Sequence, residues 1–316
     1  MPDDPPRRTD LSDRRREEAP GGTVYTPAMP TDRWEDANAY ERFMGRWSRQ
    51  LAFEFLEWLD PAPGEDWLEV GCGTGALTGA ILDRAEPHVL VACDTAKDFV
   101  DYCAEALPSQ RLEVVLVAPG ELPGRIRGFD LVVSSLVLNF LPDAVGALRR
   151  MGAACGGSGR VAACVWDYAE GMEFLRHFWD AALAVSEDAA SFDEGRRFPL
   201  CTPDALGAAF AAADLQGVTV GSITILTRFA GFDDYWNSFV DGPGPAPTYL
   251  SSLSEPLRRA LASELRARLP VGSDGSISLR ARAWTAQGRS RGRTAQSRVT
   301  AEATETRARK GTSCRA

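Results

Sequence analysis

The residues of this chain that are best placed to do chemistry together surround a short glycine-rich loop. Gly71-Cys72-Gly73-Thr74-Gly75 follows the apolar run 67–70 and precedes a helical pattern that starts at Ala76. Glycines let backbone N–H groups approach a ligand, and the following helix start carries a partial positive charge. Asp94 ends the next predicted strand, where a carboxylate can bind a ribose. The spacing therefore predicts a site for an adenosine-containing cofactor.

Two cofactor classes fit this loop. Gly71-x-Gly73-x-x-Ala76 matches the dinucleotide fingerprint G-x-G-x-x-G/A, and Asp94 lies at a suitable distance for the ribose of a nicotinamide dinucleotide. Three observations favour a different ligand. Gly75 adds a glycine one position early, and no second strand–helix series follows that resembles a dehydrogenase substrate domain. Glu69 also places a carboxylate where it would repel a pyrophosphate but suit an ammonium and a sulfonium group.

Alternating strand and helix patterns position the loop. Apolar runs bounded by turn residues predict strands at 66–70, 88–93, 112–117, 130–135, 160–166, 218–227 and 276–285. Helical patterns cover 76–85, 96–106, 143–155 and 204–213, and a glycine-rich turn covers 156–159. Repeated strand–helix units predict a Rossmann-like, doubly wound, mainly parallel seven-stranded α/β sheet. The last of these strands is expected at an edge.

Helical segments surround the predicted core, which covers 66–166 and 204–227. Aromatic and aliphatic residues from Tyr40 to Trp58 recur every three or four positions, which predicts a helix. Two insertions, at 167–203 and 232–270, interrupt the strand–helix order. We interpret them as helical caps over the carboxyl ends of the strands.

The two ends of the chain differ in composition from its middle. Residues 1–30 are charged, proline-bearing and aperiodic, which predicts a disordered arm. Residues 289–316 are rich in Arg, Thr and Ser, which predicts a disordered basic tail. The folded domain is therefore expected to cover 31–288.

Composition excludes several classes of protein. Of 316 residues, seven are Cys without C-x-x-C spacing and two are His, so neither a disulfide framework nor a metal site is expected. The sequence has no apolar run of about 18 residues and no secretory signal, so we expect a cytoplasmic protein without a membrane span. The net charge of −9 argues against nucleic-acid binding by the core.

Two segments resemble a known enzyme family. Glu69-Val70-Gly71-Cys72-Gly73-Thr74-Gly75 resembles motif I of class I S-adenosylmethionine-dependent methyltransferases. The segment 129–140 resembles the strand-4 motif of the methyltransferase type 11 group, which includes ubiquinone- and menaquinone-biosynthesis-like enzymes. The segments 40–48 and 165–180 resemble a bacterial branch of that group. The resemblance covers about 31–288 and implies methyl transfer from S-adenosylmethionine to a small, partly apolar acceptor by in-line displacement.

The resemblance also implies roles for individual residues. The glycines let the backbone approach the methionine part and the ribose of the cofactor, Glu69 holds its amino end, and Asp94 binds its ribose. The expected cofactor-binding residues are Tyr40, Arg46, Glu69, Gly71, Cys72, Gly73, Gly75, Asp94 and Leu136. The expected acceptor-binding residues are Asn139, Asp167 and Tyr168. The candidates for a general base are Asp167, Tyr168 and His177.

One position departs from the family pattern. The family usually has an acidic residue after the third strand, where it accepts the adenine amino group, but this chain has Ala118 followed by Pro119. Either a backbone carbonyl or Glu121 takes that role, or adenine binding is weakened. Two other functions therefore stay open at the level of sequence. One is an NAD(P)-dependent oxidoreductase, and the other is a cofactor-binding protein that has lost catalysis.

Overall fold

A computed structural model describes residues 40–118, 120–122, 128–240 and 242–291. The predicted arm at 1–30 lies outside the described residues, as does almost all of the predicted basic tail. Among the described residues, no helix has the length and apolar character needed to cross a membrane.

Within the described part of the chain, seven strands form one mixed sheet in the order β3-β2-β1-β4-β5-β7-β6. They are β1 (Asp66–Val70), β2 (Val89–Asp94), β3 (Leu112–Leu116), β4 (Phe129–Ser135), β5 (Cys155–Trp166), β6 (Gln216–Phe229) and β7 (Ile277–Arg289). The first five strands run parallel to one another, and β7 runs antiparallel to both β5 and β6. The predicted doubly wound, mainly parallel sheet of seven strands is therefore confirmed.

Helices cover the sheet and the segments that follow β5. They are α1 (Arg46–Leu59), α2 (Ala76–Arg84), α3 (Lys97–Ala106), α4 (Ala144–Ala154), α5 (Glu173–Val185), α6 (Glu194–Arg197), α7 (Pro203–Ala212), α8 (Phe232–Asn237), α9 (Pro245–Ser252) and α10 (Glu255–Arg268). A π-helical turn at Glu41–Gly45 precedes α1, and 3₁₀ turns lie at Leu138–Phe140 and Glu187–Ser191.

The predicted edge strand lies in the interior of the sheet, which corrects the expectation. In β7, Ala283 pairs with Trp166 of β5 on one side and with Ile223 of β6 on the other. The edge position belongs to β6 instead. Alternation of apolar and polar residues reveals a strand, but it carries no information about which neighbours that strand pairs with.

The predicted glycine turn at 156–159 falls within β5, so the strand begins earlier than expected. The pairing with β4 is irregular here, because Phe129 pairs with Cys155 while Leu131 pairs with Arg160. A Cβ atom on Gly159 would lie 2.6 Å from the carbonyl oxygen of Phe129. The glycines therefore allow a bulge in which two backbones approach closely.

Aromatic packing fixes the segments after β5 onto the rest of the molecule. Phe174 of α5 stacks on Phe239 at 4.7 Å between ring centroids and on Phe229 of β6 at 5.5 Å. The hydroxyl of Tyr235 in α8 donates to the carbonyl of Phe174 at 2.8 Å. Both insertions thus share one apolar core with the edge of the sheet.

Candidate cofactor and acceptor site

The glycine loop leaves β1 in a conformation that favours glycine. Gly71, Gly73 and Gly75 have φ angles of 78°, 51° and 86°. A Cβ atom on Gly71 would lie 2.4 Å from the side chain of Val137. No atom lies within 4 Å of the corresponding position on Gly73. The loop is therefore packed against the protein at its start and faces open space at its middle.

Asp94, at the end of β2, holds this loop in place. Its Oδ2 atom accepts a hydrogen bond from the backbone N–H of Gly73 at 2.9 Å. Its Oδ1 atom accepts from the backbone N–H groups of Thr95 at 2.7 Å and Ala96 at 3.0 Å. The carboxylate is thus fixed beside the loop at the carboxyl ends of β1 and β2, which is where open α/β sheets bind ligands.

Glu69 places a second carboxyl group under the loop. Its side chain is 1% exposed, and its Oε2 atom accepts a hydrogen bond from the hydroxyl of Thr78 at 2.6 Å. Burial raises the pKa of Glu69 well above its ordinary value. A cationic group beside Glu69 would lower this pKa again and favour the ionised carboxylate.

The loop borders a cavity of ≈ 270 Å³. The lining residues are Tyr40, Ser48, Glu69, Gly71, Cys72, Gly73, Thr74, Ala76, Leu77, Asp94, Thr95, Phe99, Ser135, Leu136, Val137, Phe140 and Leu141. We call this space the loop cavity. Its walls are largely apolar, with the two carboxyl groups as its acidic members.

A second cavity of ≈ 500 Å³ adjoins the loop cavity on the side of β3. The two share Gly71, Asp94, Val137 and other wall residues. Glu121 also lines the second cavity, one turn beyond Ala118, whose carbonyl accepts a hydrogen bond from the Glu121 backbone N–H at 2.9 Å. The two expected substitutes for the missing acidic residue are a backbone carbonyl and Glu121, and Glu121 lines the same cavity as Asp94. Pro119 lies outside the described residues.

Cys72 lies inside the loop and is buried. A hydrogen bond with Cys103 and burial raise the pKa of the Cys72 thiol. The sulfur is therefore a neutral part of the cavity wall.

Leu136 follows β4 and has a left-handed backbone with φ 62°, which is unusual for a leucine. Its N–H donates to the carbonyl of Cys164 at 2.9 Å, which helps to hold that conformation. Its side chain lines the loop cavity and also a smaller cavity beyond it. Strained residues of this kind cost about 1–3 kcal/mol and cluster at ligand sites.

The smaller cavity has a volume of ≈ 30 Å³ and lies under the segments that follow β5. Tyr40, Leu136 and Phe140 line both this space and the loop cavity. The remaining walls include Tyr168 and Phe198, whose rings lie 5.4 Å apart. We call this space the inner cavity.

Polar groups face one another beside the inner cavity. Burial raises the pKa of Tyr168 well above its ordinary value, and the neighbouring Asn139 amide lowers it. The hydroxyl of Tyr40 lies 2.8 Å from that of Ser48. Tyr168 and Asn139, both expected near the acceptor, are therefore brought together.

Five of the expected site residues do not line these cavities, namely Arg46, Gly75, Asn139, Asp167 and His177. Arg46 lies over the ring of Trp47 at 4.2 Å and pairs with Asp234 at 3.4 Å. Asp167 is 3% exposed and forms an ion pair with Arg282 at 2.5 Å. These placements give Arg46 and Asp167 structural partners, and their expected roles stay predictions.

His177 is half-buried on α5, and burial lowers its pKa. Its role as a general base stays a prediction. Among the described residues, no cluster has the composition of a metal site.

No sequence pattern selects Glu194, which lines the inner cavity. Its carboxyl accepts a hydrogen bond from the indole N–H of Trp179. The two residues lie on different helices of an irregular insertion, and neither belongs to a recurring motif. An acidic residue beside Phe198 was the available signal, but nothing in the sequence placed it near Leu136.

Comparison with known proteins finds similarity to methyltransferases. A family model described as a methyltransferase domain matches residues 68–161, from β1 to β5. Aklanonic acid methyltransferase DauC of Streptomyces sp. strain C5 is 29% identical over 132 residues, which are 40% of this chain and 60% of that protein. The part of the chain from β1 to β5 is thus similar to a methyltransferase domain.

Other relatives match the same methyltransferase domain. Nocamycin O-methyltransferase of Saccharothrix syringae is 34% identical over 112 residues, which are 34% of this chain and 38% of that protein. The chain thus matches less than two thirds of the length of either curated relative.

Solved structures share the fold of the methyltransferase domain. A protein from an antibiotic biosynthesis pathway of Anabaena variabilis has a TM-score of 0.52 at 13% identity, covering 75% of this chain and 96% of its own. Phosphoethanolamine N-methyltransferase 2 of Haemonchus contortus, solved with S-adenosyl-L-methionine, has a TM-score of 0.50 at 14% identity. That match covers 80% of this chain and 56% of the other.

Proposed function

We propose that this protein transfers the methyl group of S-adenosylmethionine to a small, partly apolar acceptor. The observation that carries the proposal is the loop cavity, where the glycine loop, Glu69 and Asp94 meet at the carboxyl ends of β1 and β2. The names of the two curated relatives support transfer to a small molecule, and one of them specifies an oxygen acceptor. The methyltransferase family match also favours this ligand over a nicotinamide dinucleotide.

The residues of the loop cavity fit such a ligand. Glu69 suits the ammonium end of the methionine part, because a cation there relieves the cost of its buried charge. Asp94 suits the ribose hydroxyls, and the open space at Gly73 leaves room beside the backbone. Glu121 in the adjoining cavity is the candidate partner for the adenine amino group. S-adenosylmethionine, when bound, supplies a methyl group activated by a sulfonium.

The protein itself contributes position and exclusion of water. Methyl transfer by in-line displacement depends mainly on alignment of the two reacting atoms in a dry space. Leu136 and Phe140 line both the loop cavity and the inner cavity, so the two spaces adjoin each other. We infer that the methyl group faces the inner cavity and that Tyr168 and Asn139 contact the acceptor there.

Thermal unfolding with S-adenosylhomocysteine tests the cofactor assignment. At a ligand concentration of about 100 Kd, binding adds about 2.7 kcal/mol of stability, which raises the Tm by about 5–10 °C. Asp94→Ala should lose the shift relative to its own ligand-free Tm. Asp98→Ala, at an exposed position on α3, serves as the matched control and should keep it.

Two results would contradict the proposed function and favour another one. A Tm shift with NAD(H) or NADP(H) but none with S-adenosylhomocysteine would favour the oxidoreductase. Binding of S-adenosylhomocysteine without methylation of any member of a broad acceptor panel would favour a binding protein that has lost catalysis.

A further inference from the structure

Glu194 is a buried acid at the inner cavity. It is the first residue of α6, it is 3% exposed, and it lines the cavity together with Tyr168 and Phe198. The indole N–H of Trp179 donates to its Oε2 atom. A carboxyl group among aromatic walls is costly to bury, and cavities of this kind use few polar groups to orient a ligand.

Burial and the neighbouring charged groups together bring the pKa of Glu194 close to neutral pH. Burial raises the pKa of Glu194 to about 8, the Trp179 hydrogen bond and Arg176 lower it, and Asp193 raises it. Arg176 also forms an ion pair with Asp193 at the same place. Arg176 is therefore shared between Glu194 and another carboxylate.

The inner cavity adjoins the loop cavity. Tyr40, Leu136 and Phe140 line both cavities. A group held by Glu194 would thus lie beside a ligand in the loop cavity. The inner cavity measures ≈ 30 Å³, which is room for a functional group and not for a whole ring.

We propose that Glu194 is the general base of the transfer and that the acceptor is a phenol or an enol whose hydroxyl enters the inner cavity. This inference rests on the proposed function. During transfer the acceptor oxygen forms a bond to the methyl carbon while the sulfur–methyl bond breaks. The electron pair of that bond stays on sulfur, the product sulfide is neutral, and the hydroxyl proton moves to Glu194.

The site suits a hydroxyl better than two other acceptor groups. A carboxylic acid is already ionised at neutral pH, and its carboxylate beside ionised Glu194 would place two like charges in an apolar space. An arylamine is neutral near pH 7 and attacks through its nitrogen lone pair, so the displacement gives Glu194 no proton to accept before transfer. A phenol or enol instead gives up one proton during transfer, which the ionised form of Glu194 accepts at a pH near its own pKa.

Methylation of three matched ring compounds tests the acceptor class. The probes are 1-naphthol, 1-naphthoic acid and 1-naphthylamine, each with S-adenosylmethionine. The wild type should methylate 1-naphthol, and Glu194→Gln should lower kcat about 10²- to 10⁴-fold with a smaller change in KM. Glu187→Gln, at an exposed position in the neighbouring 3₁₀ turn, is the matched control. Wild-type kcat should rise with pH to a plateau above about 8, and Glu194→Gln should lack this rise.

A measurement without turnover tests the titration of the base. In a ¹³C NMR titration of the glutamate carboxyl groups, one signal should titrate near pH 8 in the wild type and be missing in Glu194→Gln. Both proteins should still bind S-adenosylhomocysteine, which shows that the variant is folded.

The outcomes separate this inference from the proposed function. Loss of S-adenosylhomocysteine binding by the wild type would overturn both. Intact binding with methylation of only the acid or the amine, with no methylation of any probe, or with equal kcat for wild type and Glu194→Gln would overturn the role of Glu194 alone.

Discussion

At the scale of single residues, Glu194 links the candidate site to the stability of the fold. Burial raises its pKa from the ordinary value of 4.5 to about 8, so the folded chain keeps a proton that the unfolded chain releases. The unfolded state therefore binds fewer protons between these two values, and stability falls as pH rises through that window. The buried Glu194 carboxyl thus lowers the free energy of unfolding at neutral pH, although the same burial suits it to proton transfer.

This linkage predicts that Glu194→Gln stabilises the protein at pH 8. The wild type should lose free energy of unfolding between pH 5 and pH 8, and the variant should lose less, by a margin on the order of 4 kcal/mol. Urea denaturation of both proteins at the two pH values measures the difference. Equal pH dependence in wild type and variant would show that Glu194 titrates normally in the folded chain.

The start of the glycine loop should tolerate no side chain. Gly71→Ala combines a φ of 78° with a Cβ atom 2.4 Å from Val137, so we expect a cost of about 2–4 kcal/mol. Gly64→Ala has a similar φ of 81° but no atom within 4 Å, and should cost only about 1 kcal/mol. The urea midpoints of the two variants separate crowding from backbone strain. Equal costs would mean that Val137 moves aside freely.

At the scale of elements, an ion pair fastens the end of β5 to β7. The Arg282 guanidinium contacts Asp167 at 2.5 Å, and the Asp167 N–H donates to the Arg282 carbonyl at 2.9 Å. The carboxylate is almost fully buried, whereas the guanidinium is one-third exposed. Solvent therefore screens part of the interaction, but loss of the cation would leave a buried carboxylate poorly paired.

We expect Arg282→Met to cost about 1–3 kcal/mol of stability while leaving S-adenosylhomocysteine affinity unchanged. Arg280 lies on the same strand as Arg282 and forms a more exposed ion pair with Glu173 of α5. Arg280→Met should therefore cost no more than about 1 kcal/mol of stability. Calorimetric titration and urea denaturation check the two expectations separately. A large loss of affinity in Arg282→Met would return Asp167 to the candidate site.

Local sequence patterns predict the elements whose formation depends on residues that are close together in the chain. The strand β4 was predicted from an apolar run that is buried on both faces, and α4 from the capping residue Asp143, whose Oδ1 accepts from the Gly146 N–H at 2.7 Å. The interior position of β7 depends on pairings across the sheet, which a local pattern does not encode.

The same distinction holds for the candidate site. The glycine loop and Asp94 are a local signature, and the structure places them around one cavity. Glu194 reaches its cavity only because an irregular insertion folds back over the sheet. Asp167 lies at the expected edge of the sheet, and its ion pair with the distant Arg282 could not be predicted from a local pattern.

At the scale of the whole molecule, β7 joins two parts of the sheet that do not otherwise pair. Among the described residues, β6 pairs with β7 along its length and has no other strand partner. A chain that ends at Gly275 should therefore show no cooperative thermal unfolding. A peptide of residues 276–291 should restore a cooperative transition, and the same peptide with Ala283→Pro should not, because proline removes a ladder hydrogen bond. A cooperative transition in the shortened chain alone would contradict this dependence.

The position of β7 also sets the order of events while the protein is being made. The first five strands leave the ribosome long before β7, and at roughly 5–20 residues per second the outer edge of β5 stays unpaired for several seconds. The edge of β6 also stays unpaired until β7 has been synthesised. Unpaired strand edges are the surfaces from which aggregation starts. Production of this protein should therefore depend on translation speed and on chaperones that cover strand edges during this interval.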